Sequence, residues 1–151
     1  MYARVRKAFT LVEILIVVVI LGILAAIVVP QFTNATQDAQ AGNIQAQLDT
    51  LNNQIELFRA RANVYPGPGG TTMVGYNWIS MITADPLIPF SGGYLKSVPK
   101  NPYNQMSDIG AAGSCDPTTC GWTWGPNANG IDVLDATNYN SATGKIDPGH
   151  V

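Results

Sequence analysis

Charge is what this sequence has least of. Asp, Glu, Lys and Arg make up 12% of its 151 residues, against about 25% in an average soluble protein. Neutralising a phosphate backbone takes several clustered Lys and Arg, so a nucleic-acid binder working through a broad basic face is excluded. Histidine occurs once, as His150 beside the last residue. A frayed, solvated terminus is expected there, and a Ser-His-Asp or Cys-His enzyme would lack its base. Cysteine occurs twice, as Cys115 and Cys120. Two thiols with no nearby His or second Cys pair do not complete a tetrahedral zinc shell, and their spacing is not that of a redox CxxC pair. There is no Walker loop, dinucleotide fingerprint or zinc-protease motif. There is also no repeat in the range of about 20–50 residues. No acid, base and nucleophile converge, so the chain reads as a non-enzyme with no catalytic and no metal-binding residues.

What is present is enough for one domain and too little for two. Three Trp, six Tyr and four Phe can bury real area, which argues against disorder throughout. Fifteen Gly and ten Pro make the chain turn often. The few charges are unevenly placed. Arg4, Arg6 and Lys7 stand in the first eight residues; without them the basic count falls from 8 to 5 while the acidic count stays at 10, so the remainder carries −5. A short basic head on an acidic chain marks a sorting signal rather than a folded surface.

Residues 14–29 are an unbroken apolar run, extended forward by Phe9, Leu11 and Val12. About 20 helical residues at ~1.5 Å rise cross a ~30 Å hydrocarbon core. The basic head stays in the cytoplasm and the C-terminal part goes outside. Three readings compete: a secretory signal cleaved after Thr33-Asn34-Ala35 that releases a soluble binding module, a plain membrane anchor, and an assembly signal in which the head is removed and the helix kept. Glu13 discriminates among them. A carboxylate inside an apolar helix costs on the order of 2.5–3.5 kcal/mol, and a signal peptide or anchor gains nothing from it. Thr10-Leu11-Val12-Glu13 fits a capping box, and a negative charge suits the first helical turn. A cut after Ala8 would also place the new Phe9 amine one turn from Glu13, where the two could pair within or between chains.

Arg6-Lys7-Ala8-Phe9-Thr10-Leu11-Val12-Glu13 followed by the apolar run resembles the class III signal of type IV pilins and type II secretion pseudopilins. Gly22 and Pro30 match that family's helix, and the closest match covers roughly residues 4–32. Ala8 departs from it, since the residue before the cut is usually Gly. The resemblance implies that residues 1–8 are a cytoplasmic leader and that a prepilin peptidase cuts between Ala8 and Phe9 and methylates the new terminus. It implies assembly through Phe9 and Glu13, a helix bend at Gly22 and Pro30, and an inner-membrane platform with its ATPase machinery as partners. The precursor would sit in the inner membrane and the product in an extracellular filament or a periplasmic pseudopilus. The first expectation is a helical homopolymer of the type IV pilus kind; a secretion pseudopilin is the alternative. Major pseudopilins hold calcium in a C-terminal loop, and Asp132, Asp135 and Asp147 are the acidic candidates here, but their spacing fits no EF-hand and solvated polar turns are the favoured account of them.

Beyond Pro30 the periodicity predicts a second, amphipathic helical stretch over residues 31–63. Ala41, Ile44, Leu48, Leu51, Ile55 and Phe58 form its stripe, and Gln, Asn, Asp and Thr face away. Tyr65-Pro66-Gly67-Pro68 must end it. Phe9, Phe32, Phe58 and Tyr65 are expected to pack in cores. Residues 64–151 read as a loop-rich globular region. A short helix is expected at residues 77–82 and an extended, proline-barred crossing at residues 95–103, which resembles a stretch common in pseudopilins. Strands are expected at residues 121–124, 130–134 and 144–147, with Asn129-Gly130 as a hairpin signal. Trp122 and Trp124 share one sheet face, against the long helix. Outside the cytoplasm, Cys115 and Cys120 form a disulfide closing a tight loop. Asn34-Ala35-Thr36 is a weak glycosylation sequon. The fold class is α+β: a long N-terminal helix (residues 9–30 and 31–63) on a small antiparallel sheet, type IV pilin-like.

Overall fold

The computed structural model describes residues 9–67, 70, 72–76, 78–84, 90–127 and 129–150. One helix, α1 (Leu11–Ala62), runs through 52 residues, with Pro30 inside it. The two stretches expected on either side of Pro30 are therefore one element. Beyond the missing proline donor, the Thr33 and Thr36 hydroxyls donate to the Val29 and Phe32 carbonyls at 3.2 and 2.6 Å. The helix ends as its sequence dictates. Arg59 and Arg61 lie in its last turn, where cations suit the dipole. Asn63 takes φ 57°, the left-handed conformation in which asparagine often closes a helix, and its N–H donates to the Arg59 carbonyl at 2.8 Å. Pro66 follows shortly after.

The chain divides into two compact units between Thr36 and Gln37. In the first, every described residue is exposed. The second holds the core. There α1 buries Ala41, Ile44, Leu48, Leu51, Ile55 and Phe58, the six positions of the sequence stripe. At about 1.5–3 kcal/mol for a fully buried large apolar side chain, this stripe is the helix's main anchor in its unit. Short helix α2 (Ile79–Ile82) adds Met81. Strands β1 (Ile109–Ala111), β2 (Trp122–Pro126) and β3 (Asp132–Ala136) form one sheet in that order. Strands β4 (Tyr139–Asn140) and β5 (Lys145–Ile146) form an antiparallel pair.

The expected antiparallel sheet needs one correction: it is mixed. β2 and β3 are an antiparallel hairpin with Trp124 opposite Leu134, but β1 runs parallel to β2, with Ile109 opposite Trp122. The crossover between β1 and β2 holds the Cys115–Cys120 disulfide. It packs on Gly110 of β1, where a Cβ would meet the Cys115 and Cys120 sulfurs at 2.7 and 2.8 Å. The same loop is turned by Asp116, whose carboxylate accepts the Thr118 N–H and hydroxyl, each at 2.8 Å. Those two bonds, the backbone one first, hold the Asp116 carboxyl below its ordinary value.

Trp122 and Trp124 are buried in one core with Ala41, Ile44, Leu48, Leu51 and Ile55 of the helix stripe. The Trp78 and Trp122 rings meet edge to face at 6.4 Å, as do Tyr65 and Trp124 at 5.0 Å. Both deeply buried indole N–H groups are satisfied, Trp78 by the Ser107 carbonyl at 2.8 Å and Trp122 by Pro99 at 3.3 Å. That second bond ties down the crossing segment, which is non-helical as its prolines require. Of the four aromatics expected in cores, Phe58 is fully buried and Tyr65 packs beyond the helix end, whereas Phe9 and Phe32 are 76% and 70% exposed. Among the described residues of their own unit, nothing covers them.

Candidate functional site

The N-terminal turn of α1 has the geometry its sequence implies. The Thr10 hydroxyl accepts the Glu13 N–H at 3.2 Å, and the Glu13 carboxylate accepts the Thr10 N–H at 3.4 Å. Two backbone donors that a helix start leaves without partners are thus satisfied reciprocally. This accounts for one task of Glu13 and leaves the carboxylate exposed. Phe9 stands just before the capped turn. Ala8 and the basic residues Arg4, Arg6 and Lys7 lie outside the described residues.

Past Glu13 the surface is wholly apolar. Ile14, Leu15, Ile16, Val17, Val18 and Val19 are each about half exposed, and the run continues to Val29. The helix is long and apolar enough to cross a membrane, and none of that stretch is buried among the described residues. A soluble monomer would not leave so much contiguous apolar area in water. Gly22 has open space where a Cβ would stand, so no contact among the described residues demands glycine there. The sequon Asn34-Ala35-Thr36 lies on this exposed helix.

The acidic candidates do not form a cation cage. Asp135 Oδ1 accepts the Ala136 N–H at 2.8 Å and Oδ2 the Ser141 hydroxyl at 2.9 Å. Asp147 turns its own loop through the Gly149 N–H at 3.2 Å. Asp132 starts β3 opposite Pro126. Among the described residues no three His, Cys, Asp or Glu side chains gather. A calcium ion asks for several free oxygens in one place, and these residues do not offer them. The loops are closed by side-chain amides instead: Asn127 Oδ1 accepts the Asn129 and Ile131 N–H groups at 2.9 and 3.1 Å. Asn140 Oδ1 does the same for Ala142 and Thr143, each at 3.1 Å. His150 is not frayed as expected: its carbonyl accepts the Asn138 N–H at 2.8 Å and its N–H donates to Asp147 at 3.0 Å.

Sequence reasoning missed a buried polar clasp. Asn101 is fully buried. Its amide nitrogen donates to the Gly121 and Thr137 carbonyls at 2.7 and 3.0 Å, and its oxygen accepts the Tyr103 N–H at 2.8 Å. Asn104 donates to the Pro117 and Cys120 carbonyls, both at 2.8 Å. Together they fasten the crossing segment to the disulfide loop and to the end of β3. The only local hint is asparagine beside proline, which signals a turn and no partner.

A family model described as the prokaryotic N-terminal methylation motif matches residues 3–29, the segment built around Ala8, Phe9 and Glu13. Type II secretion system core protein G of Vibrio cholerae is 32% identical over 145 residues, covering 91% of this chain and 94% of that protein. The core protein G of Aeromonas hydrophila is 33% identical over 122 residues, 77% of this chain and 82% of its own length. The type IV narrow pilus major component PilA5 of Thermus thermophilus is 35% identical over 81 residues, 49% of this chain and 70% of that protein. No solved structure matches. The apolar helix capped by Thr10 and Glu13 and these likenesses point the same way: the chain belongs to the family of type II secretion pseudopilins and type IV pilins.

Proposed function

We propose that this protein is the structural subunit of a type IV pilus-like filament, the pseudopilus of a type II secretion system. The observation that carries the reading is the half-exposed apolar surface of α1 from Ile14 onward, headed by one capped carboxylate. The core protein G likeness, which spans nearly the whole of both chains, favours the secretion machine.

In this reading the precursor sits in the inner membrane with Arg4, Arg6 and Lys7 on the cytoplasmic side. A prepilin peptidase hydrolyses the Ala8–Phe9 bond, leaving a carboxylate on Ala8 and an amine on Phe9, which is then methylated. An inner-membrane platform and its ATPase move the subunit from lipid into the growing filament. Helix contacts replace lipid contacts, so packing drives assembly. Glu13 pairs with the Phe9 amine of a neighbour, since a lone charge in such a core would cost several kcal/mol. Gly22 and Pro30 let the helix bend as it packs. The sheet of β1, β2 and β3 and the disulfide loop stay outside.

The test is intact mass and N-terminal sequencing of the protein from cells, paired with a deletion strain scored for protein secretion. A chain beginning at Phe9 together with loss of secretion is expected. A chain beginning at Thr36 would make it a secreted module and end this reading. An extended surface pilus is the second reading, favoured by the PilA5 likeness. Sheared surface filaments containing this chain, with secretion intact in the deletion strain, would establish it instead.

A further inference from the structure

The resemblance to major pseudopilins implies a calcium ion in the C-terminal loops, and the three acidic candidates do not fit one. The misfit extends to the backbone. Calcium takes about six to eight oxygens, drawn from carboxylates and from loop carbonyls. From Asn127 onward the loop carbonyls already accept protein N–H groups. The Asn127 carbonyl accepts the Gly130 N–H at 2.9 Å, and the Ile131 carbonyl accepts the Asn127 N–H at 2.8 Å. The Asn140 carbonyl accepts the Gly144 N–H at 2.8 Å. Asn138 straps the last residues across the corner after β3: its N–H reaches the His150 carbonyl, and its own carbonyl accepts the Asp147 N–H at 2.9 Å. Asn138 is buried and left-handed, with φ 62°, a conformation asparagine tolerates better than most residues.

The side chains complete the closure without charge. A carboxylate cage gathers like charges that only a cation can neutralise, so such a loop orders when the ion binds. An amide oxygen accepts the same N–H groups and leaves nothing to neutralise. Asn127 Oδ1 and Asn140 Oδ1 each take two loop N–H groups in this way. The Asp135 carboxylate is held on both oxygens, by the Ala136 N–H and the Ser141 hydroxyl. We infer that the C-terminal loops of this chain fold and hold without calcium, with Asn127, Asn138 and Asn140 doing by hydrogen bonds what the resemblance would assign to an ion. This holds for a pilus and a pseudopilus subunit alike.

The experiment is thermal unfolding of the full chain in detergent, followed by Trp fluorescence, with millimolar calcium chloride or with EGTA. The two midpoints should agree within about 1 °C, whereas an ion present at a hundred times its Kd would raise the midpoint by roughly 10 °C. Asn140→Ala removes two acceptor bonds, so its midpoint should fall by about 5 °C, and by the same amount in both solutions. A wild-type midpoint that rises with calcium overturns the inference. So does an Asn140→Ala chain that melts like the wild type. Should that variant fail to fold, the wild-type comparison between calcium and EGTA decides alone.

Discussion

The Asn52 carboxamide grips the backbone of Leu134 in both directions. Its amide nitrogen donates to the Leu134 carbonyl at 2.9 Å, and its oxygen accepts the Leu134 N–H at 2.9 Å. Asn52 belongs to the helix and Leu134 to β3, which is an edge strand. The side chain thus does what a further strand would do, and it blunts an edge that could otherwise pair with another chain. Removing it leaves a donor and an acceptor unsatisfied at a part-buried site. Asn52→Ala should therefore cost about 1–3 kcal/mol in urea unfolding of the full chain in detergent. Asn52→Asp should cost at least as much, because a carboxylate cannot donate to the Leu134 carbonyl. A loss below about 0.5 kcal/mol for both would show the grip to be incidental.

Glu13 has two separable tasks, and one substitution divides them. A capping box accepts glutamine in place of glutamate, so Glu13→Gln keeps the bond to the Thr10 N–H and removes the charge. If pairing with the Phe9 amine of a neighbour sets filament register, Glu13→Gln and Glu13→Ala should both insert in the membrane and both fail to assemble. If capping is the whole role, Glu13→Gln should assemble normally and only Glu13→Ala should falter. Filament yield from sheared or periplasmic fractions, normalised to membrane-inserted protein, reads the difference.

How much of this was legible beforehand depends on whether the signal was local. The stripe from Ala41 to Phe58 was readable because helical periodicity repeats every few residues, and all six positions are buried. The Thr10–Glu13 cap was readable because both partners lie in one turn. The β2–β3 hairpin was readable from Asn129-Gly130, though its strands are shifted to Trp122–Pro126 and Asp132–Ala136. β1 was not, since Ile109-Gly110-Ala111 has no strand-like alternation and its pairing with β2 is parallel, across a loop. Asn52 read as solvent-facing because its partner is 82 residues away. Asn101 was opaque for the same reason. Non-local hydrogen bonds leave no periodic trace.

The disulfide and Gly110 form one packing unit, and each predicts something. Neither Cys115 nor Cys120 should take a thiol label without reductant. Replacing both by Ala opens a very short loop, so the expected loss is about 2 kcal/mol. Gly110→Ala should cost a comparable amount or more, because the new Cβ would lie within 3 Å of both sulfurs. The Asn101 and Asn104 clasp holds the same loop from the other side, so the double Cys variant should still fold. Collapse of its far-UV and near-UV spectra together would show that the clasp cannot hold the loop alone.

Alkaline pH should unfold the globular unit through two phenols. Burial pushes the Tyr139 hydroxyl above its ordinary value, and the charges of Asp135 and Asp49 push it further. Burial also raises Tyr76, against the opposing hydrogen bonds to Ser80 and Met81. In the unfolded chain both titrate near 10. Below that pH neither state has lost a proton, and stability is whole. Above it the unfolded chain ionises first, so stability falls as pH climbs towards the raised folded values. Tyr139→Phe removes a titrating group, and no hydrogen bond to its hydroxyl exists among the described residues to be lost, so the alkaline midpoint should move up with little change at neutral pH. Tyr76→Phe also removes a titrating group but breaks the bonds to Ser80 and Met81, so it should lower stability at neutral pH as well. Urea midpoints between about pH 7 and 11, followed by Trp fluorescence, separate the two. Identical profiles for wild type and Tyr139→Phe would remove Tyr139 from the alkaline transition and leave Tyr76 to account for it.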